Sequence, residues 1–320
     1  MADSGKLVIS CSTLGYAIAG ATVSAAIAAE RWVGRGDEQA AEEAAAAAMR
    51  EALNAVDFTG HVVVGEVDIP ILNVGESVGT GNGPELDIAL EALEGTTLTA
   101  KAMPNALAVI AAAPKGGLLQ VPDLYMEKLA IGPGYERGVV DLDASAGENA
   151  IRLAKAKGVD VREITACVLD RPRHEKIIAD LRKVGVRINL IPDGDVAGAI
   201  NTAMPETAID MYVGQGKAPE GVLAAAALRC AGGQMQARFV FRNDAEKYQA
   251  QRMGLKDAGR RYELDDLVSG EVIFAATGVT KGTLLDGAVR GRAGVETYTM
   301  LMSSSDGVVR KIRSVTPVGR

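Results

Sequence analysis

The strongest constraint on this chain's fold is an alternation that begins near residue 145. Helix-forming residues 148–157 precede an apolar run at 164–169, and a second helical stretch at 176–184 precedes an apolar run at 186–191. A third run at 209–213 leads to a helix that begins around Pro219. Each run is too short for a helix and empties into a polar loop: Asp170-Arg171-Pro172-Arg173-His174, Pro192-Asp193-Gly194-Asp195 and Gly214-Gln215-Gly216-Lys217. Strand, loop and helix in succession build a mixed α/β sheet, with ligand residues gathered on loops at the strands' C-terminal ends. The spacing predicts an α/β protein with two α/β subdomains, at 1–140 and 141–320.

The first half is organised differently. Residues 14–29 are apolar and Ala-rich, yet include Gly15, Gly20, Thr22 and Ser24 and are shorter than a comfortable membrane span, so they read as a helix packed on the protein interior. The Val-Ile-Ser before Cys11 resembles a lipoprotein cleavage site, but the residues ahead of it contain no adequate hydrophobic region. After the turn Gly34-Arg35-Gly36-Asp37, residues 38–56 have very high helix propensity. Strands are expected at 61–65, 87–91 and 106–112, and an apolar stretch at 69–74. The loop Gly79-Thr80-Gly81-Asn82-Gly83 leads into a strand rather than a helix, which argues against a dinucleotide site. Further strands are expected at 236–242, 272–276 and 297–303, with a hairpin turn at Asp306-Gly307.

The chemistry concentrates where strand 87–91 ends. Glu91 and Glu94 lie three residues apart and are followed at once by Gly95-Thr96-Thr97. Carboxylates so placed suit a hard cation such as Mg²⁺ or Mn²⁺. A helix starting at Gly95 would offer free N–H groups to phosphate oxygens. Glu42, Glu66 and Glu220 are further candidate metal ligands, although Pro219-Glu220 is also ordinary helix-opening chemistry. Arg171 and Arg173 flank a proline and suit bidentate phosphate recognition, and Asp193-Gly194-Asp195 could accept hydrogen bonds from sugar hydroxyls.

Composition removes several alternatives. A net charge of −7 without a Lys/Arg run argues against nucleic acid as a partner. Cys11, Cys167 and Cys230 have neither disulfide nor zinc spacing and read as reduced thiols, which places the protein in the cytoplasm. With only His61 and His174, any metal must be held mainly by oxygen, and covalent catalysis through a His base is disfavoured.

Read in order, Gly34-Arg35-Gly36-Asp37, Val64-Gly65-Glu66, Asp87 to Thr97, Asn105 to Val109, Pro122-Asp123-Leu124-Tyr125-Met126, Asp170 to His174, Asp193-Gly194-Asp195, Ala218-Pro219-Glu220-Gly221 and Ala276-Thr277-Gly278-Val279-Thr280 resemble class II fructose-1,6-bisphosphatase over nearly the whole chain. The resemblance implies the layered α/β sugar-phosphatase fold shared with inositol monophosphatases. It also implies Mg²⁺- or Mn²⁺-dependent removal of the 1-phosphate of fructose 1,6-bisphosphate, in gluconeogenesis or a Calvin-type cycle, with sedoheptulose 1,7-bisphosphate a substrate of some relatives. The implied metal ligands are Glu42, Glu66, Glu91, Glu94 and Glu220. Thr96, Glu94 and Asp68 would be catalytic, orienting the attacking water. Substrate contacts would come from Glu94-Gly95-Thr96, Tyr125, Arg171-Pro172-Arg173, Asp193-Gly194-Asp195 and Lys217. A homo-oligomer, dimer or tetramer, is also implied.

The chain departs from the family where metal would bind. Glu42 and Glu91 stand where the family usually has Asp, Glu38 where it has Lys, and Lys217 where it has Gly. The acidic stretch after Glu66 is shorter, continuing as Val67-Asp68-Ile69-Pro70. An added methylene moves a carboxylate by about 1 Å, where active sites tolerate about 0.5 Å. Two competing readings follow: a non-catalytic relative that binds sugar phosphate, and a phosphatase of a different phosphomonoester.

Overall fold

The computed structural model describes residues 13–317 apart from 256 and 258, so Cys11 lies outside the described residues. In chain order the elements are α1 (Thr13–Glu30), α2 (Glu38–Leu53), β1 (Thr59–Val64), β2 (Ser77–Val78), β3 (Glu85–Glu94), α3 (Thr96–Ala100), β4 (Leu107–Pro114) and β5 (Tyr125–Ile131). Then follow α4 (Ala146–Lys157), β6 (Thr165–Leu169), α5 (Glu175–Lys183), β7 (Arg187–Ile191), α6 (Asp195–Ile200), β8 (Met211–Lys217), α7 (Ala218–Ala231) and β9 (Gln234–Val240). The chain closes with α8 (Asp244–Arg252), β10 (Tyr262–Glu263), α9 (Leu264–Leu267), β11 (Ile273–Gly278), β12 (Val289–Gly291), β13 (Gly294–Ser303) and β14 (Val309–Thr316).

Local chemistry sets many of these boundaries. Asp37 caps α2 by accepting from the Ala40 N–H at 3.0 Å. Ser145 and Glu148 close a capping box that starts α4 two residues before the expected 148, and Gly158 ends it in the left-handed region. Helix α2 stops at Leu53 rather than 56, where Asn54 takes the cap.

The strands form two sheets. The first is eight-stranded, in the order β12-β13-β11-β4-β3-β1-β2 with β14 paired along β13; the second runs β10-β9-β5-β8-β6-β7. Strands therefore do not part at residue 140. Strand β5 precedes that point yet lies centrally in the second sheet, and β11–β14 follow it yet return to the first. The physical reason is antiparallel pairing of β11 along β4, from Ile273↔Ala112 to Gly278↔Leu107, which draws the C-terminal strands back across the molecule.

Burial follows the two-residue period of strands. Ile88, Leu90, Ala108, Ile110 and Ala112 pack in a core with α1 and α2. Ala89, Leu107, Val109, Ala111 and Ala113 face the other way, into a core with α6 and α7. The Ala-rich α7 is buried nearly all round and touches β3, β4 and β11 of one sheet and β5, β8 and β9 of the other. Helices α4 and α5 cover the far side of the second sheet. The layers thus run helix, sheet, helix, sheet, helix, the layered α/β arrangement expected.

Helix α1 is long and apolar enough, by length and composition, to cross a membrane. In the fold, eight of its residues are buried, and Thr22 Oγ1 bonds Thr277 Oγ1 at 2.7 Å, which bonds Thr299 Oγ1 at 2.8 Å. This hydroxyl chain ties α1 to β11 and β13.

Candidate active site

Strand direction brings the polar loops to one cleft. Strands β6, β7 and β8 are mutually parallel, so the loops holding Arg171, Asp193 and Lys217 leave the second sheet at one edge. Strand β5 runs antiparallel to β8 with Tyr125 opposite Lys217, so its beginning lies at that edge as well. In the first sheet, β1 and β3 are parallel, and Glu66 and Glu91–Gly95 leave from matching ends. Helix α7 opens between the sheets and contributes Glu220 in its first turn.

Glu91 and Glu94 would face opposite sides of a regular strand, being three residues apart. The β3–β4 register shifts between them, and this irregularity breaks the alternation. Both carboxylates consequently feel the charge of Glu220. Asp87, at the other end of the strand, serves the turn instead: its Oδ2 accepts from the Gly116 N–H at 2.6 Å.

Glu42, Glu66, Asp68, Glu91, Asp123 and Glu220 line one small cavity of about 30 Å³ together with Lys217. Burial pushes Glu66 up to about 7, reinforced by Glu42, although its Oε1 accepts the Ala92 N–H at 2.7 Å. Glu42 is raised by burial and by Asp68, with the neighbouring Glu66 carboxyl opposing the rise. Glu91 is driven well above the ordinary carboxylate range by burial and then by Glu66 and Glu220. Glu220 is pushed up to about 7 by burial and by Asp195. Although Glu220 as a residue is only partly covered, its Oε2 is fully buried and has no hydrogen-bond partner. For Lys217, burial would lower the ammonium, but Asp123, Glu220 and Glu91 outweigh it and raise it.

Glu94 lies beside this cavity rather than in its wall, toward the substrate loops. Burial, Glu220, Asp195 and Asp193 all raise it, and Lys128 opposes them. Gly95, in the left-handed region at φ 89°, begins α3, which has only five residues. Such a helix carries little dipole, so any anion affinity there rests on the free N–H groups of its first turn. Thr96 is the first helical residue and half-buried; Thr97 Oγ1 donates to Glu38 Oε2 at 3.0 Å.

The substrate loops close the other side. Gly194 approaches the carbonyl of Asn105 and Leu98 of α3, and Arg171 lies 4.0 Å from Asp193. Arg173 donates twice to the Gln215 carbonyl, at 3.2 and 2.8 Å, and stacks over Tyr125 at 5.0 Å. His174 is structural: its Nδ1 meets the Leu169 carbonyl at 2.8 Å while Nε2 accepts the Gln215 N–H at 2.7 Å, and burial lowers its pKa. Pro172, exposed, opens the 3₁₀ turn that carries Arg173.

Sequence reasoning missed Lys128, which reads as a surface lysine in an interrupted apolar run. It is 2 % exposed, and its Nζ donates to Asp195 Oδ2 at 2.5 Å and to the Lys217 carbonyl at 2.8 Å. Its place on the face of β5 that carries Met126 and Ala130 is the only signal that could have found it. Asp123, in the cavity wall, was likewise not singled out.

The oxygen-only donor set and the orphaned Glu220 Oε2 fit a hard divalent cation. Among the described residues, however, no three His, Cys, Asp or Glu side chains already converge as a ready ligand shell. A larger cavity of about 920 Å³ lies elsewhere, against Arg137, Arg229 and Asp265, and contains none of these acids.

A buried acidic cavity at the joint edge of two sheets, beside a glycine-started helix and an arginine loop, defines a phosphatase of the layered α/β sugar-phosphatase class. Residues 12–316 match the family model described as bacterial fructose-1,6-bisphosphatase, glpX-encoded. The chain is 42% identical over 311 residues to fructose-1,6-bisphosphatase 1 class 2 of Escherichia coli (strain K12), covering 92% of each chain. The same figures hold for fructose-1,6-bisphosphatase class 2 of Shigella flexneri. The chain belongs to the class II fructose-1,6-bisphosphatase family.

Proposed function

We propose that this protein hydrolyses the 1-phosphate of fructose 1,6-bisphosphate to fructose 6-phosphate and phosphate, as a gluconeogenic or Calvin-type enzyme of the cytoplasm. The observation that carries the reading is the meeting of Glu42, Glu66, Glu91 and Glu220 in one cavity, next to the Glu94-Gly95-Thr96 turn. These glutamates, with Glu94, would hold Mg²⁺ or Mn²⁺. The bound ions would lower the pKa of the attacking water and neutralise charge on the transferring phosphoryl group.

The chain's own groups have separable tasks. Asp68, at the cavity's solvent side, takes the proton of the attacking water, and the Thr96 hydroxyl aims that water at phosphorus. Free N–H groups of the α3 first turn donate to phosphoryl oxygens. Arg171, Arg173 and Tyr125 grip the distal phosphate, Asp193-Gly194 binds sugar hydroxyls while Asp195, buried against Lys128, anchors that loop, and Lys217 adds positive charge near the reacting group. A homo-oligomer is part of the same reading.

Phosphate release from fructose 1,6-bisphosphate, measured with Mn²⁺, with Mg²⁺ and with chelator, tests it. Release with either metal and none with chelator is expected. No release from a panel of phosphate esters, alongside measurable sugar-phosphate binding, would establish the non-catalytic alternative.

A further inference from the structure

Among the described residues lining the acidic cavity, Lys217 is the only cation. Its position is built rather than incidental. The residue ends β8 opposite Tyr125, and its carbonyl is held by the buried Lys128 ammonium at 2.8 Å. Its Nζ stands 3.5 Å from Asp123 Oδ1, with the side chain 42% exposed, so the ammonium enters the cavity from its solvent side. A space of about 30 Å³ has room for roughly one water-sized occupant beside that ammonium.

We infer that the Lys217 ammonium fills one cation's place among these carboxylates and thereby limits how many divalent ions the chain binds. The inference rests on the metal-dependent reading above and makes Lys217 a determinant of metal number. The physical reason is competition: carboxylate oxygens facing an ammonium are not free to turn toward a second divalent ion, and the fixed positive charge repels that ion. Lys217 would then supply permanently what an exchangeable ion would supply only when bound. Its charge cannot be lost to a chelator.

Equilibrium dialysis against Mn²⁺, with bound metal counted per chain, tests this on the full-length protein, its K217A and K217Q variants, and K217R. The expected result is about one more Mn²⁺ per chain in K217A and K217Q, with the first ion bound about tenfold more tightly, while K217R keeps the parent's count. Circular dichroism in chelator confirms that the variants fold; K217Q keeps most of the stem should K217A not fold. Equal counts and affinities within twofold across all four proteins, with the parent still binding Mn²⁺ and releasing phosphate, would overturn the inference and leave the phosphatase reading standing. A parent that neither binds Mn²⁺ nor releases phosphate would overturn both.

Discussion

Replacing Glu66 by Gln should stabilise the metal-free protein at alkaline pH, although it removes a candidate ligand. Glu66 is 4% exposed and its pKa rises from 4.5 to about 7 because of burial and then Glu42. A carboxyl with a higher pKa folded than unfolded binds its proton more tightly in the fold. Its stabilising contribution is full below 4.5 and is lost as pH climbs through about 7. That shift corresponds to roughly 3 kcal/mol at pH 8.5, of which about 1 kcal/mol is already lost at pH 5. Gln is neutral throughout, its carbonyl can still accept the Ala92 N–H, and its amide can donate to Glu42. The gap between E66Q and parent should therefore widen by about 2–3 kcal/mol from pH 5 to pH 8.5. With an unfolding entropy near 2.1 cal/mol/K per residue, this is about 3–4 °C in Tm for a chain of this length. Calorimetry in chelator measures it. Under saturating Mn²⁺ the gap should narrow, because the parent gains about 2.7 kcal/mol at a hundredfold excess over Kd and the variant gains less. A gap that stays constant with pH, or an E66Q that melts below the parent in chelator at pH 8.5, would refute the reasoning.

Two further outcomes follow from the cleft. In Gly216→Ala, the new Cβ would lie 1.9 Å from Asp195 Oδ2 and 2.8 Å from Lys128 Nζ, breaking a buried ion pair. Such a break costs about 3–5 kcal/mol, and thermal melts should show the loss; a Tm within a degree of the parent would show that the pair moves aside. Arg173→Lys cannot make both bonds to the Gln215 carbonyl or keep the stacking on Tyr125, so KM for the bisphosphate should rise about tenfold with kcat little changed. Steady-state kinetics separates the two, and a fall in kcat alone would move Arg173 to the reacting end.

Much of the cleft is legible in the chain because it sits on short loops between strongly patterned elements. Asp170 to His174, Asp193 to Asp195 and Lys217 to Glu220 each follow a run whose strand character is plain, and parallel strands deliver such loops to one edge. Strand β5 is not legible, since Glu127 and Lys128 interrupt its apolar pattern. Their acceptability depends on partners distant in sequence, Gln215 and Arg238 for the one and Asp195 for the other. Helices α6 and α8 escaped notice for a related reason. Helix α6, six residues long, is too short for a helical period to declare itself, and the apolar residues of α8 are too few to show one.

By itself the sequence determined the α/β class, the strands and helices with strong periodicity, the mainly oxygen character of any metal site and the order of the polar loops. All of these depend on residue type and near neighbours. Only the tertiary structure decided that β11–β14 return to the first sheet and that Glu91 and Glu94 reach the same carboxylate across a break in register. It also decided that Lys217 stands inside the acidic cavity while Lys128 is sealed beneath it. Those outcomes depend on which backbone edges pair and which charges share a desolvated space, and neither is a property of any local stretch of chain.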